Sequence, residues 1–221
     1  MMTTAEPSGP GRGDVVLVLC RGASRRFGAP KALATVGTDP RPLLARVAAT
    51  YARTDLGLLL VVTTADQVQG CCACLDGADA PAFAVVAGTA GGDTALTMAL
   101  ASAWLQQQGQ AVTRVWAHPV DLPRVRHRTL VQLARVAASV PALPVRPAWG
   151  GQPGHPVVVP HELLARLAPA ASASDVSWRA FYAGEVAAGR AHAAVEVPVA
   201  DPGVVLDHDD PGDPAWPDGE G

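Results

Sequence analysis

The sequence predicts one α/β domain built on a mainly parallel sheet. Apolar strand-like runs alternate along the chain with helix-like segments, which is the pattern of βαβ units. A glycine-containing, cation-rich loop follows the first of these runs, where open α/β sheets receive their ligands. At 221 residues the chain is long enough to bury a full core in a single domain.

Residues 1–13, rich in Gly, Pro, Ser and Thr, read as a disordered leader without a signal peptide. The domain is expected to span 14–213, and the Pro/Asp/Gly-rich 214–221 to form a flexible tail. Residues 15–20 are the first strand. A helix is expected over 43–53, then strands at 58–63, 83–86 and 112–117. Gly91, Gly92, Asp93 and Thr94 form a turn that opens a helix, with Asp93 or Thr94 able to cap it. That turn fits a capped helix alone and equally a helix N-terminus facing a base or phosphate. Further on, 147–159 is a glycine-rich turn entering a β-branched strand, and 204–206 is a short strand-like run ahead of Asp207 and Asp209.

Composition removes several function classes. The formal net charge is −3, with 49% hydrophobic and 17% charged residues, unlike a protein that coats nucleic acid. The apolar runs are far shorter than the roughly 18 residues a membrane span requires. No nucleic-acid or membrane partner is therefore expected, and the expected compartment is the cytoplasm. Four cysteines in such a chain do not form a disulfide framework. Cys71, Cys72 and Cys74 cluster without the second ligand pair that structural zinc sites use, so they read as thiols on a helix. Cys20, at the end of the first strand, is the thiol expected to be chemically sensitive.

Lys31 is the most informative residue. It is the only lysine among seventeen Lys and Arg residues, so it should do something a planar guanidinium cannot. A lysine ammonium is a compact point charge that reaches between phosphate oxygens. The loop before it holds Arg21, Gly22, Ser24, Arg25, Arg26 and Gly28. Four cations and a backbone unencumbered at two glycines match a triphosphate, although the spacing is neither the Walker nor the dinucleotide fingerprint. Asp121, between Pro119 and Pro123 at the end of a strand, reads either as a turn residue or as a Mg²⁺ ligand. His118 beside it reads as a surface loop histidine or a substrate contact.

Leu19, Gly22, Ser24, Arg26, Phe27, Gly28, Pro30 and Lys31 fall in register with the signature loop of the MobA-like NTP transferases. The chain resembles the molybdenum-cofactor cytidylyltransferase branch of that family most closely. Pro119-Val120-Asp121-Leu122-Pro123 resembles the family's Pro-x-Asp-x-Pro block, and Gly154-His155-Pro156 resembles a triplet of the cytidylyltransferase-like branch. The block around Asp175 and the ending at 207–213 are similar in order but depart in detail. Cys20 and Arg21 stand where the family has small residues, and Asp210 where it has Thr.

The resemblance implies a Rossmann-like, three-layer α/β/α fold of the nucleotide-diphospho-sugar transferase type, with a mixed, mainly parallel sheet. It implies a Mg²⁺-dependent transfer of NMP, with CTP favoured as donor, to a phosphorylated small-molecule acceptor such as molybdopterin, with release of pyrophosphate. Lys31, Arg26 and Asp121 would be catalytic. Leu19, Gly22, Ala23, Ser24, Arg25, Gly28, Gly92 and Thr94 would hold the nucleotide, and Gly154 and His155 the acceptor. Asp121, Asp207 and Asp209 would face the metal, and a molybdoenzyme would be the protein partner. Two other readings stand beside this one. The same fold could serve an isoprenoid or sugar phosphate, or the chain could be a non-transferase relative, such as a nicotine-blue-oxidoreductase-like protein or a cofactor-binding maturation factor.

Overall fold

The computed structural model describes Gly11, 13–20, 30–88, 94–109, 111–173 and 177–208, without the side chains of 168–173. The expected leader and tail lie outside these residues, apart from Gly11 and Gly13. Four parallel strands form one side of the sheet: β1 (Asp14–Leu19), β2 (Leu58–Thr64), β3 (Phe83–Gly88) and β4 (Arg114–Pro119). They continue into β5 (Val145–Trp149), β6 (Gln152–Pro153), β7 (Val157–Pro160) and β8 (Val195–Pro198). The order is β3-β2-β1-β4-β7-β5-β6, with β8 pairing β5. β7 runs antiparallel to both β4 and β5, so the sheet is mixed but mostly parallel.

Strand alternation divides the core into two layers. Val16, Val18, Leu59, Val61 and Trp116 point to one face, where α1 (Leu43–Tyr51), α2 (Val68–Asp76) and α4 (His127–Ser139) cover them. Val15, Leu17, Leu58, Leu60 and Val62 point to the other, beneath α3 (Thr94–Gln107) and α5 (His161–Ala173), with α6 (Trp178–Ala187) packed alongside. Both faces of β1 and β2 are buried, which is why these strands read as continuous apolar runs. Each fully buried Val or Leu contributes about 1.5–3 kcal/mol. At the start of β1 the buried Asp14 carboxylate accepts bonds from Arg114 Nε at 2.8 Å and Trp116 Nε1 at 3.1 Å, locking β1 to β4.

The strand expected at 204–206 is not formed. Pro202–Val204 is a 3-10 turn, because Pro202 fixes its own φ and Asp201 Oδ1 accepts the Gly203 N–H at 3.0 Å. The last strand among the described residues is instead β8, which starts six residues upstream of Asp201. Among the described residues no helix is long and apolar enough to cross a membrane.

Candidate active site

The parallel strands β1 and β4 end side by side, with Leu19 in register with Pro119. Lys31 arrives just beyond β1, on a 3-10 turn over Lys31–Leu33 that Pro30 introduces. Asp121 lies just beyond β4, in a turn closed by the Leu122 N–H to the Pro119 carbonyl at 3.2 Å. The two side chains, 90 positions apart, meet with Lys31 Nζ donating to Asp121 Oδ2 at 3.0 Å. The Lys31 side chain is 12% exposed and the Asp121 side chain 28% exposed. The pair therefore sits in a partly dehydrated setting where each charge acts more strongly than in bulk water.

A cavity of about 230 Å³ opens above the pair, lined by Leu19, Cys20, Lys31, Thr94, Thr97, Asp121 and His155 among others. Thr94 is the first residue of α3, so that helix presents its N-terminus to the cavity. A second cavity of about 530 Å³ shares Pro119, Asp121 and His155 with the first and is lined further by Gln152, Gly154, Val204 and Asp207. Asp121 thus stands at the wall between two adjoining spaces, one beside the end of β1 and Lys31 and one beside the Gly-His-Pro turn.

The reversed direction of β7 brings that turn here. Val157 at the start of β7 pairs with Ala117 near the end of β4, so the residues entering β7 reach the same edge as the residues leaving β4. Gly154 donates to the Pro147 carbonyl, and the His155 N–H donates to the Val204 carbonyl, both at 2.8 Å. A Cβ at Gly154 would collide with the Val204 carbonyl oxygen, so this close approach requires glycine. Burial lowers the His155 pKa below the ordinary histidine range, against the opposing effect of the ring's bond to the Ala117 backbone. The C-terminal segment closes the site from the far side, with the His208 N–H donating to the Asp121 carbonyl at 2.9 Å.

His118 is neither a surface residue nor lining either cavity. It is fully buried, because it shares the inward face of β4 with Trp116, two residues back. Its Nδ1 lies 2.7 Å from the Tyr51 hydroxyl and its Nε2 2.9 Å from the Leu122 carbonyl. A carbonyl can only accept, so Nε2 carries the proton and Nδ1 accepts from Tyr51. Burial lowers the His118 pKa to about 4, and the bond to Leu122 opposes that only in part. The unfolded chain takes up this proton near pH 6.5, before the folded chain does. Stability linked to neutral His118 is therefore complete above about pH 6.5 and is lost as the pH falls toward 4, by roughly 3 kcal/mol at most. Denaturant unfolding at pH 7 and pH 4.5 should show a smaller acid loss in His118→Gln than in the unsubstituted chain; equal losses would exclude His118 as a source.

Cys20 does not behave as an exposed, reactive thiol. It is buried, and burial first, then Cys71 and the Asp121 carboxylate, raise its pKa well above the usual thiol value. It is a protonated wall of the first cavity. Cys71 is buried and Cys72 and Cys74 half-buried on α2, and among the described residues no group of three or more His, Cys, Asp and Glu side chains is placed to hold a metal.

Of the expected site residues, Leu19, Lys31, Thr94, Asp121, Gly154, His155 and Asp207 line these two cavities. Gly22, Ala23, Ser24, Arg25, Arg26, Gly28, Gly92 and Asp209 lie outside the described residues, as does Asp175. Thr97, one turn into α3, lines the first cavity beside Thr94. Tyr51 was not legible as a site neighbour, since nothing in the sequence joins it to His118, 67 positions away.

Geometry of this kind defines an α/β protein that handles a charged ligand at the carboxyl ends of its parallel strands. The chain belongs to the MobA-like NTP transferase family, whose domain matches residues 16–194, and it is a nucleotidyltransferase. No curated protein matches the chain. Solved structures do. Rv0371c from Mycobacterium tuberculosis is 25% identical, with a TM-score of 0.60 over 91% of this chain and 94% of that one. A manganese complex of Rv0371c superimposes at 20% identity, with a TM-score of 0.57 over 86% and 89% of the two chains. The fold is also that of 4-diphosphocytidyl-2C-methyl-D-erythritol synthase from Anaerococcus prevotii, at 12% identity and a TM-score of 0.68 over 92% of each chain.

Proposed function

We propose that this nucleotidyltransferase transfers NMP from a nucleoside triphosphate, with CTP favoured, to a phosphorylated small-molecule acceptor of the molybdopterin kind. The observation that carries this reading is the Lys31–Asp121 pair at the junction of two cavities. One space adjoins the end of β1 and the start of α3 and suits the donor triphosphate. The other, at Gly154, His155 and Asp207, suits the acceptor.

The donor set fits a hard divalent cation. Asp121 and Asp207 supply carboxylate oxygens, and Mg²⁺ in phosphoryl chemistry is held by one or two carboxylates together with substrate phosphates. The manganese bound by Rv0371c supports a cation of this class. Bound there, the cation supplies charge neutralisation at the phosphate oxygens.

In the reaction, an acceptor phosphate oxygen attacks the donor α-phosphorus, a new P–O–P bridge forms, and the bond to the β-phosphate breaks to release pyrophosphate. Lys31 leaves Asp121 to neutralise charge building on the transferred and departing phosphates. Catalysis is then positioning and electrostatic stabilisation, with no nucleophile from the protein. Arg26 and the loop at 22–28 would add contacts to the triphosphate, Gly92 and Thr94 contacts to the base, and Asp209 a further carboxylate.

The first test is a thermal-unfolding panel with CTP, GTP, ATP and UTP, each with and without Mg²⁺. A ligand that binds the native state raises the unfolding temperature. The expected result is a Mg²⁺-dependent rise that is largest with CTP. A larger rise with GTP would replace the donor assignment, and no rise with any nucleotide would overturn the reading.

A further inference from the structure

The Asp121 loop is tethered at more points than a surface turn needs. Both backbone groups of Leu122 are used, the N–H on the Pro119 carbonyl at 3.2 Å and the carbonyl on His118 Nε2 at 2.9 Å. The Val120 N–H bonds to the Leu19 carbonyl at 3.3 Å, fastening the loop to the end of β1. Behind the loop, the Tyr51 hydroxyl at 2.7 Å from Nδ1 fixes which ring nitrogen of His118 donates, and the Tyr51 and His118 rings meet edge to face with centroids 5.6 Å apart. Both side chains are completely buried. The Tyr51 ring packs in the apolar core, while its hydroxyl and the His118 imidazole satisfy one another; a satisfied buried polar network rigidifies what it is bonded to, and here that is the peptide that carries Asp121.

We propose that Tyr51 and His118 are positioning residues that hold the Asp121 carboxylate at the angle and depth at which it takes a divalent cation. The chain runs from α1 through the Tyr51 hydroxyl and the His118 imidazole to the Leu122 carbonyl, one residue past Asp121. Neither side chain lines the two cavities, so their action is through the loop. This rests on Asp121 being the cation-facing carboxylate, as proposed above.

The test is titration of the full chain with Mn²⁺ alone, read by electron paramagnetic resonance of the free ion, for the unsubstituted chain, Tyr51→Phe, His118→Leu and Asp121→Asn. Partners that orient a metal ligand without touching the metal are each worth about 10–100-fold in affinity. Tyr51→Phe deletes one oxygen and keeps the ring, so it is the variant expected to stay folded, with Mn²⁺ affinity about tenfold weaker by the same rule. His118→Leu, where it folds, should weaken Mn²⁺ at least as much. Steady-state turnover at saturating Mn²⁺ should recover toward that of the unsubstituted chain in Tyr51→Phe but not in Asp121→Asn.

If Tyr51→Phe lowers the unfolding temperature and leaves Mn²⁺ affinity unchanged while Asp121→Asn loses it, the pair is packing only and the proposal is overturned. If Asp121→Asn itself binds Mn²⁺ as before, the cation assignment fails, and the positioning role with it. The two failures are thus read from different variants.

Discussion

Replacing Asp121 by Asn should abolish divalent-cation-dependent turnover, by at least the 10²–10³-fold (roughly) that follows loss of one preorganised electrostatic contact. The fold should survive, because the Asp121 side chain is 28% exposed and its own backbone carbonyl remains bonded to His208. Asparagine keeps the shape and removes the charge. Two measurements check this together: pyrophosphate release at saturating nucleotide over a Mg²⁺ series, and thermal unfolding. Turnover that persists at the unsubstituted level would remove Asp121 from the site. The substitution also removes the Asp121 negative charge that faces the incoming phosphates beside Lys31, so nucleotide binding without added cation should tighten. That sign distinguishes a lost cation ligand from a collapsed loop, which would weaken both.

Lys31 carries the second large effect, and its sign differs between two assays. In the nucleotide-free protein its ammonium sits on Asp121 Oδ2 at 3.0 Å, competing with any cation for that oxygen. Lys31→Met should therefore tighten Mn²⁺ binding in the absence of nucleotide while cutting turnover by about 10²-fold or more, the cost of removing a charge aimed at developing negative charge. Lys31→Arg keeps the charge but replaces a point donor with a wide fork. It should retain Mn²⁺ competition and still lose most turnover. Full turnover in Lys31→Arg would mean that the lone lysine serves only as a positive charge. A Lys31→Met variant with unchanged Mn²⁺ affinity would mean that the ion pair does not guard the cation site.

The sheet was legible in the sequence because three of its strands, β1, β2 and β4, are buried on both faces. Continuous Val/Leu runs at β1 and β2 leave little else for those segments to be, and their ends fall within a residue or so of the expected positions. The short edge strands were not legible. β8, only Val195–Pro198, contains a glutamate and ends in proline, while Val204–Leu206 has the composition of a strand and turns instead because of Pro202 and the Asp201 cap. At the site, Lys31, Asp121 and the Gly-His-Pro turn each stood out locally, but nothing in the chain announced that the lysine would pair with the aspartate. His118 was misjudged for a reason that can be stated: it was weighed as a member of the loop that follows. Counting from Trp116 by twos places it on the buried face, and that period was there to be used.

The reversed strand β7 has a consequence for how such a protein can change its chemistry. Because β7 runs against β1 and β4, the two cavities are lined both by chain leaving strands and by chain entering one. The connections after β1 and β4 and the hairpin before β7 are separate stretches of sequence, joined at the site through Asp121 and His155. With donor and acceptor placed as proposed, their recognition can drift independently. On that placement, a lineage could exchange the 149–156 hairpin and acquire a new acceptor while the edge at the ends of β1 and β4 stays as it is, a modularity that lies in strand polarity.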